Sequence, residues 1–151
     1  MTTLFEHAGG AEAMRRLADA LYRRLLSDPV LRPPFGELMP EHVAHFALFE
    51  AETFGGPDDY TRDHGGFPAL IDMHRGLKIT EAQRRRFVEH YLAAADEAGL
   101  PSDAPFREAL RTHVEFGTQV AMQNSNAETD DELHPLRHVP IWNWPDPEPG
   151  A

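Results

Sequence analysis

The stretch FGGPDDYTRDHGGFPALIDMHRGLKI, residues 54–79, contains two glycine pairs, each followed closely by a proline. Glycine readily adopts a positive φ, and proline fixes its own φ and has no backbone N–H to donate. Gly55-Gly56-Pro57 therefore predicts the end of one helix, and Pro68 suits the first position of the next. That next helix is short, because Gly76 stops it, and it carries His74 near its end.

Amphipathic helices are predicted on both sides of this stretch, because apolar residues recur there at steps of three and four. We expect a loop at 58–66 and an irregular, proline-rich corner at 29–35. No strand-like alternation occurs, so the predicted fold class is all-α. The predicted longer helices run from Ala11 to Ser27, from Glu41 to Phe54, from the capping-box pair Thr80 and Gln83 to about Glu97, and from about Pro105 to Met122.

The composition excludes several classes of function. The 151 residues carry a formal net charge of -11, which disfavours binding to nucleic acid or to an anionic membrane. There is no cysteine, so disulfides, thiolate catalysis, iron–sulfur clusters and covalently attached c-type haem are excluded. The chain begins without the pattern of a signal peptide and has no apolar run that would span a bilayer, so a cytoplasmic protein is expected.

The character of the chain changes after residue 126, where prolines crowd an acidic segment. We therefore predict a domain at 1–126 and a Pro-rich C-terminal extension at 127–151. The apolar residues of this extension are too many for a solvated tail, so it packs either on its own domain, which we favour, or on a second subunit of a homodimer. These residues are Leu136, Val139, Ile141, Trp142 and Trp144.

Histidine is the main candidate metal ligand in a chain without cysteine. His42 and His45 have helical spacing, but no third ligand is spaced to complete a zinc site. His74 is flanked by Leu70, Ile71, Met73, Leu77 and Ile79, and an imidazole in such surroundings is either a haem ligand or a half-buried, hydrogen-bonded side chain. Residues interpreted as surface histidines without a ligand role are His7, His64, His90, His113, His134 and His138.

From Leu4 to about Met122 the chain resembles the truncated haemoglobins of the second group. The glycine-glycine-proline turn and the spacing from Pro68 to His74 together carry this resemblance. It implies a two-over-two helical sandwich that encloses haem b. The resembling segments are Leu-Phe-Glu-His-Ala-Gly-Gly at 4–10, Leu21-Tyr22, Ser27-Asp-x-Val-Leu31, Phe54-Gly-Gly-Pro57-x-x-Tyr60 and Gly65-Gly66-x-Pro68-x-Leu70-x-x-x-His74-x-x-x-x-Ile79.

The resemblance also implies roles for individual residues. His74 matches the proximal ligand of the haem iron, and Tyr22 matches the distal tyrosine that donates a hydrogen bond to iron-bound dioxygen. His42 falls at the distal gate, where it could donate to the ligand, swing toward solvent or bind the iron as a sixth ligand. The candidate haem-binding residues are Phe35, His45, Phe46, Tyr60, Leu70, Met73, Leu77 and Phe87.

Phe87 departs from the family's pattern. It stands where members of the second group typically place a tryptophan whose indole donates to the bound ligand. Phenylalanine has no side-chain donor, so the distal hydrogen bonds are predicted to come from Tyr22 and His42.

The function that the resemblance implies is reversible binding of dioxygen, nitric oxide or carbon monoxide at a His-ligated haem iron. A second interpretation is a nitric oxide dioxygenase or a peroxidase-like enzyme. Such an enzyme would need a partner reductase, because the chain has no flavin or nicotinamide domain. A third interpretation is a haem-free interaction or sensing module.

Overall fold

The computed structural model describes residues 2–35 and 40–144, without the side chains of residues 34, 35 and 40. The regular structure of these residues is entirely helical, which confirms the all-α prediction. None of the helices found there is long and apolar enough to cross a membrane. The helices are α1 (Leu4–Ala8), α2 (Gly10–Leu26), α3 (Arg32–Phe35), α4 (Pro40–Thr53), α5 (Asp59–Asp63), α6 (Gly66–His74), α7 (Glu81–Glu97) and α8 (Ala104–Asn126), followed by a 3-10 turn at Asp130–Glu132.

Four longer helices build the core of the molecule. Helix α2 packs against α4 and α7, and α7 packs against α8. The predicted apolar stripe of α2 is the centre of this packing, since Met14, Leu17, Leu21 and Leu25 are completely buried. Burying each such side chain contributes about 1.5 to 3 kcal/mol. A smaller apolar cluster joins α5 and α6 to α8 and to Val139 of the C-terminal segment.

The glycine-glycine-proline turn after α4 has a steric explanation. Gly55 has a φ of 89°, which a residue with a side chain adopts only with strain. At Gly56 a Cβ atom would lie 2.8 Å from the carbonyl oxygen of Ala51 and 2.8 Å from the ring of Phe5. Glycine is therefore needed at both positions, where the start of the chain lies close against the end of α4.

Two short helices differ from the sequence-based expectations. The expected loop at 58–66 contains α5, and the expected irregular corner at 29–35 contains α3. Both helices have fewer than six residues and are too short to show a helical apolar period. Helix α7 begins as predicted, because the Thr80 hydroxyl accepts from the Gln83 backbone N–H at 3.1 Å and the Gln83 side chain accepts from the Thr80 N–H at 2.9 Å.

The described part of the C-terminal extension contacts the helices of its own chain. The backbone N–H of Trp142 donates to the carbonyl of Thr53 at 2.7 Å, and the Thr53 hydroxyl donates to the carbonyl of Pro140 at 2.5 Å. The indole of Trp144 donates to the Thr2 carbonyl at 2.7 Å. Residues 140–144 therefore tie the end of α4 to the beginning of the chain. The domain boundary at 126 stays a prediction.

Asp28 is a buried carboxylate that joins the end of α2 to α7. It accepts two hydrogen bonds from the Arg86 guanidinium, both at 2.9 Å, and lies 2.7 Å from His90 Nε2. The hydrogen bonds from Arg86 and then His90 hold the pKa of Asp28 well below its usual range. A carboxyl with a depressed pKa stabilises the fold above its ordinary pKa, and this stabilisation is lost as the pH falls toward the folded-state value.

We expect Asp28→Asn to lower the melting temperature by several degrees at neutral pH and to flatten the fall of the melting temperature with acidification. The amide NH₂ would face the Arg86 donors, and a charge-assisted pair would be lost. Thermal melts followed by circular dichroism from about pH 7 down to about pH 3 test this, since that range spans the ordinary carboxyl pKa. Asp131→Asn is the matched control because Asp131 is exposed, and equal effects of the two changes would contradict the prediction.

Candidate functional site

A cavity of about 330 Å³ lies between the two apolar clusters of the fold. Helices α2, α4, α5, α6, α7 and α8 contribute side chains to its wall, together with Pro140 and Trp142 of the C-terminal segment. Most of these side chains are apolar. A few polar groups converge on the cavity, which is the usual constitution of a small-molecule or cofactor site.

His74, the last residue of α6, is the candidate metal ligand on one wall. Its Nδ1 lies 2.7 Å from the carbonyl oxygen of Leu70. Since a carbonyl only accepts, Nδ1 carries the hydrogen and donates it, and Nε2 is left with the free lone pair. Burial lowers the pKa of His74, against the opposing effect of the Leu70 hydrogen bond. The imidazole is therefore held neutral, in the tautomer that binds a metal through Nε2.

Two apolar side chains beside His74 are exposed to solvent, although burial of apolar surface is favourable. Met73 is 51% exposed and Leu77 is 39% exposed, and both line the cavity. A flat apolar group bound against His74 would cover them and remove that surface from water.

Tyr22 from α2 and Phe46 from α4 also line the cavity. Their rings meet edge to face with centroids 5.6 Å apart, which fixes the tyrosine ring in the wall. Burial is the first cause that raises the pKa of Tyr22, and the nearby Glu50 carboxylate is the second. The phenol therefore keeps its proton at neutral pH.

Two histidines of α4 line the same cavity. His42 and His45 are one turn apart on this helix, and the ring of His45 packs on that of His64 with centroids 4.2 Å apart. Burial, followed by the charges of His64 and His42, lowers the pKa of His45. No group of three or more His, Cys, Asp or Glu side chains within the described ranges is arranged to hold a metal ion on its own.

A buried polar cluster in the cavity wall was not predicted from the sequence. Glu50 of α4 is 2% exposed and accepts a hydrogen bond from the Tyr91 hydroxyl at 2.8 Å. His113 of α8 is 4% exposed, and its Nε2 lies 3.2 Å from the nearer carboxylate oxygen. The interpretation of His113 as a surface residue was therefore wrong. Its position on the buried face of α8, three residues after Leu110, was the available signal.

The structure brings the predicted site residues together around one cavity. Phe35 is the exception, because its side chain lies outside the described residues. Phe87 also lines the cavity. The cavity wall includes the predicted residues Tyr22, His42, His45, Phe46, Tyr60, Leu70, Met73, His74, Leu77 and Phe87.

Comparison with known proteins identifies the family. Residues 3–128 match the family model described as bacterial-like globin. The group 2 truncated hemoglobin of Bacillus subtilis is 29% identical over 119 residues, covering 79% of this chain and 88% of that protein. A group 1 truncated hemoglobin of Nostoc commune is 32% identical over 91 residues, covering 60% of this chain and 73% of that protein.

Solved structures give the same result. The hemoglobin of Chloroflexus aurantiacus superposes with a TM-score of 0.72 at 34% identity, covering 81% of this chain and 98% of that one. The group II truncated hemoglobin of Bacillus anthracis superposes with a TM-score of 0.73 at 27% identity, covering 87% and 98%.

The helical arrangement and its cavity define the two-over-two globin class, as predicted. The chain belongs to the bacterial-like globin family, and its relatives include truncated haemoglobins of group II. Membership in this family implies a haem cofactor. The cavity fits such a group, since it combines an apolar wall, a neutral imidazole with a free Nε2 and two exposed apolar side chains beside it.

Proposed function

We propose that this protein binds haem b through His74 and reversibly binds dioxygen, or nitric oxide or carbon monoxide, at the ferrous iron. The hydrogen bond between His74 Nδ1 and the Leu70 carbonyl carries the proposal, because it orients the ring and leaves Nε2 free on the cavity wall. Haem supplies an iron with an open coordination position for a diatomic ligand.

The protein's own residues would then control the ligand. Tyr22 lines the same cavity as His74, and its phenol would donate a hydrogen bond to the bound molecule. Phe46 and Phe87 exclude water from this part of the cavity, and His42 is the second polar group near the ligand. Met73 and Leu77 hold the macrocycle by apolar contact.

Titration of the purified protein with haemin tests the cofactor directly. We expect a saturable Soret band at one haem per chain, a five-coordinate ferrous spectrum after reduction, and a sharp shift on adding carbon monoxide. If no Soret band develops with excess haemin, the cofactor and the ligand are both wrong.

Replacing Tyr22 by phenylalanine is expected to accelerate dioxygen release about five- to tenfold. This is the factor that corresponds to losing a neutral hydrogen bond of roughly 1 kcal/mol. Rapid mixing of the oxygenated protein with a dioxygen scavenger measures the rate. Tyr60→Phe is the matched control, since it removes a hydroxyl from another tyrosine of the same cavity. An unchanged release rate in Tyr22→Phe would assign the dominant hydrogen bond to His42.

A further inference from the structure

Glu50, Tyr91 and His113 form a hydrogen-bonded group inside the globin core, contributed by α4, α7 and α8. The Glu50 carboxylate accepts from the Tyr91 hydroxyl at 2.8 Å, and His113 Nε2 lies 3.3 Å from one carboxylate oxygen and 3.2 Å from the other. Burying a carboxylate in an apolar core costs several kcal/mol unless it is hydrogen-bonded. The ligand chemistry described above makes no use of this group.

One nitrogen of this group has no hydrogen-bond partner. With Nε2–H directed to Glu50, His113 Nδ1 carries a lone pair, and it is buried without a partner among the described residues. The indole N–H of Trp142, whose ring meets that of His113 edge to face at 5.8 Å, is buried and unpartnered in the same way. The lone pair of Nδ1, on a ring whose Nε2 faces the Glu50 carboxylate, is a position where a proton can be added.

The Glu50–His113 pair therefore has two charge states that differ by one proton. With neutral His113 and ionised Glu50 the pair is an anion. A proton added at Nδ1 makes it a neutral ion pair. Both residues line the cavity proposed for haem and its ligand.

We propose that the Glu50–His113 pair is an internal proton acceptor, which would take the proton of a small neutral acid, HX, that enters the haem cavity and is held there as its anion. This inference rests on the proposed haem site. The H–X bond would break, its electron pair would stay on X, and the proton would be added to the pair. No electron would be transferred.

The cavity favours the neutral form of such a ligand. An anion would lose its hydration in the apolar interior and would approach the ionised Glu50 carboxylate. A neutral acid avoids both costs on entry.

Other titratable groups surround the pair, and the three phenols are poor competitors for the proton. Burial raises the pKa of Tyr22, Tyr60 and Tyr91, so these groups are already protonated at neutral pH. The remaining titratable groups on the cavity wall are His42 and His45 of α4, His74 of α6 and Arg84 of α7. Arg84 is permanently protonated, and His74 is the proposed iron ligand. This leaves His42 and His45 as the alternative proton acceptors.

Proton counting on the haem-loaded ferric protein tests the proposal. Hydrogen cyanide is the neutral acid, and the protein is mixed with it in weakly buffered solution containing a pH indicator. We expect the protein to release well under one proton per haem, and Glu50→Gln to release about one. Tyr91→Phe is the matched control, because it removes a hydrogen bond to Glu50 but keeps the pair, and it should retain the proton.

Association rates separate a proton acceptor from a residue that only supports the fold. In Glu50→Gln, cyanide binding should slow by about tenfold or more, since a general base is lost. Binding of azide, which is an anion at neutral pH, should become faster because the buried negative charge is gone. A structural defect would change both rates in the same direction.

Three results would overturn the inference. The first is release of a full proton by the unaltered protein, and the second is release of equal numbers of protons by the unaltered protein and Glu50→Gln. The third is a change of the cyanide and azide association rates in the same direction. If the unaltered protein and Glu50→Gln both retain the proton, the acceptor is His42 or His45. The Soret band reports haem binding in every sample, so failure of the haem site is recognised separately. If Glu50→Gln does not fold, release of a full proton by the unaltered protein still overturns the inference.

Discussion

His74→Gly is expected to abolish the five-coordinate ferrous haem spectrum and to weaken haem binding by more than about 100-fold, because loss of a residue that only orients a metal ligand already costs about 10- to 100-fold. The change removes the imidazole whose Nε2 is free on the cavity wall, and it does not disturb the interior of α6, since His74 is the last residue of that helix. Haemin titration followed by reduction measures both effects.

Exogenous imidazole provides the decisive control for this prediction. Imidazole should enter the space that the side chain leaves and restore the five-coordinate spectrum, which a misfolded variant would not show. His138→Gly is the matched variant, because His138 is an exposed histidine of the same chain and should leave the spectrum unchanged. A ferrous spectrum unaltered by His74→Gly would remove the proximal assignment.

Several helices were predicted well because each has a strong local signal, whereas α8, predicted to end at about Met122, extends to Asn126. Helix α2 has an apolar stripe, α7 has a capping box, and α6 lies between a glycine pair and Gly76. The boundaries of α2 were predicted within one residue at each end. Helix α5 was missed because its five residues, Asp59–Asp63, are almost all polar and are stabilised by contacts with α4 and α6.

The candidate site was only partly predictable. The resemblance supplied His74 and Tyr22, but spacing alone left His74 undecided between a ligand and a hydrogen-bonded side chain. The tautomer that makes His74 a metal ligand depends on the Leu70 carbonyl one turn earlier. The sequence shows that Leu70 is there, but not that its carbonyl faces the imidazole.

The Glu50–His113 pair was harder to predict because its partners lie far apart in the chain. Glu50 occupies the helical step between Phe46 and Phe54, where an apolar residue is expected, so its burial could have been suspected. Its pairing with His113, 63 positions later, follows only from the packing of α4 near α8. Local periodicity shows that a charged residue is buried, but not what neutralises it.

Trp142→Ala is expected to lower the free energy of unfolding by about 2 to 3 kcal/mol, somewhat less than for a fully buried tryptophan because this side chain is half-buried. The indole packs edge to face on His113 at 5.8 Å and on Phe116 at 5.7 Å, and it lines the cavity. Its removal leaves a void beside the Glu50–His113 pair and opens that end of the cavity. Urea unfolding followed by circular dichroism measures the loss.

Ile141→Ala is the matched control for Trp142→Ala, since it truncates the preceding residue of the same segment, which is 54% exposed and should cost far less.

The experiment also separates packing within one chain from packing between subunits. A contact within the chain makes the stability loss independent of protein concentration, whereas a contact in a homodimer makes it grow with concentration. The hydrogen bonds from the Trp142 N–H to Thr53 and from the Thr53 hydroxyl to Pro140 both lie within one chain. We therefore expect the stability loss not to depend on protein concentration. A loss that appears only at high concentration would instead place this segment in a subunit interface.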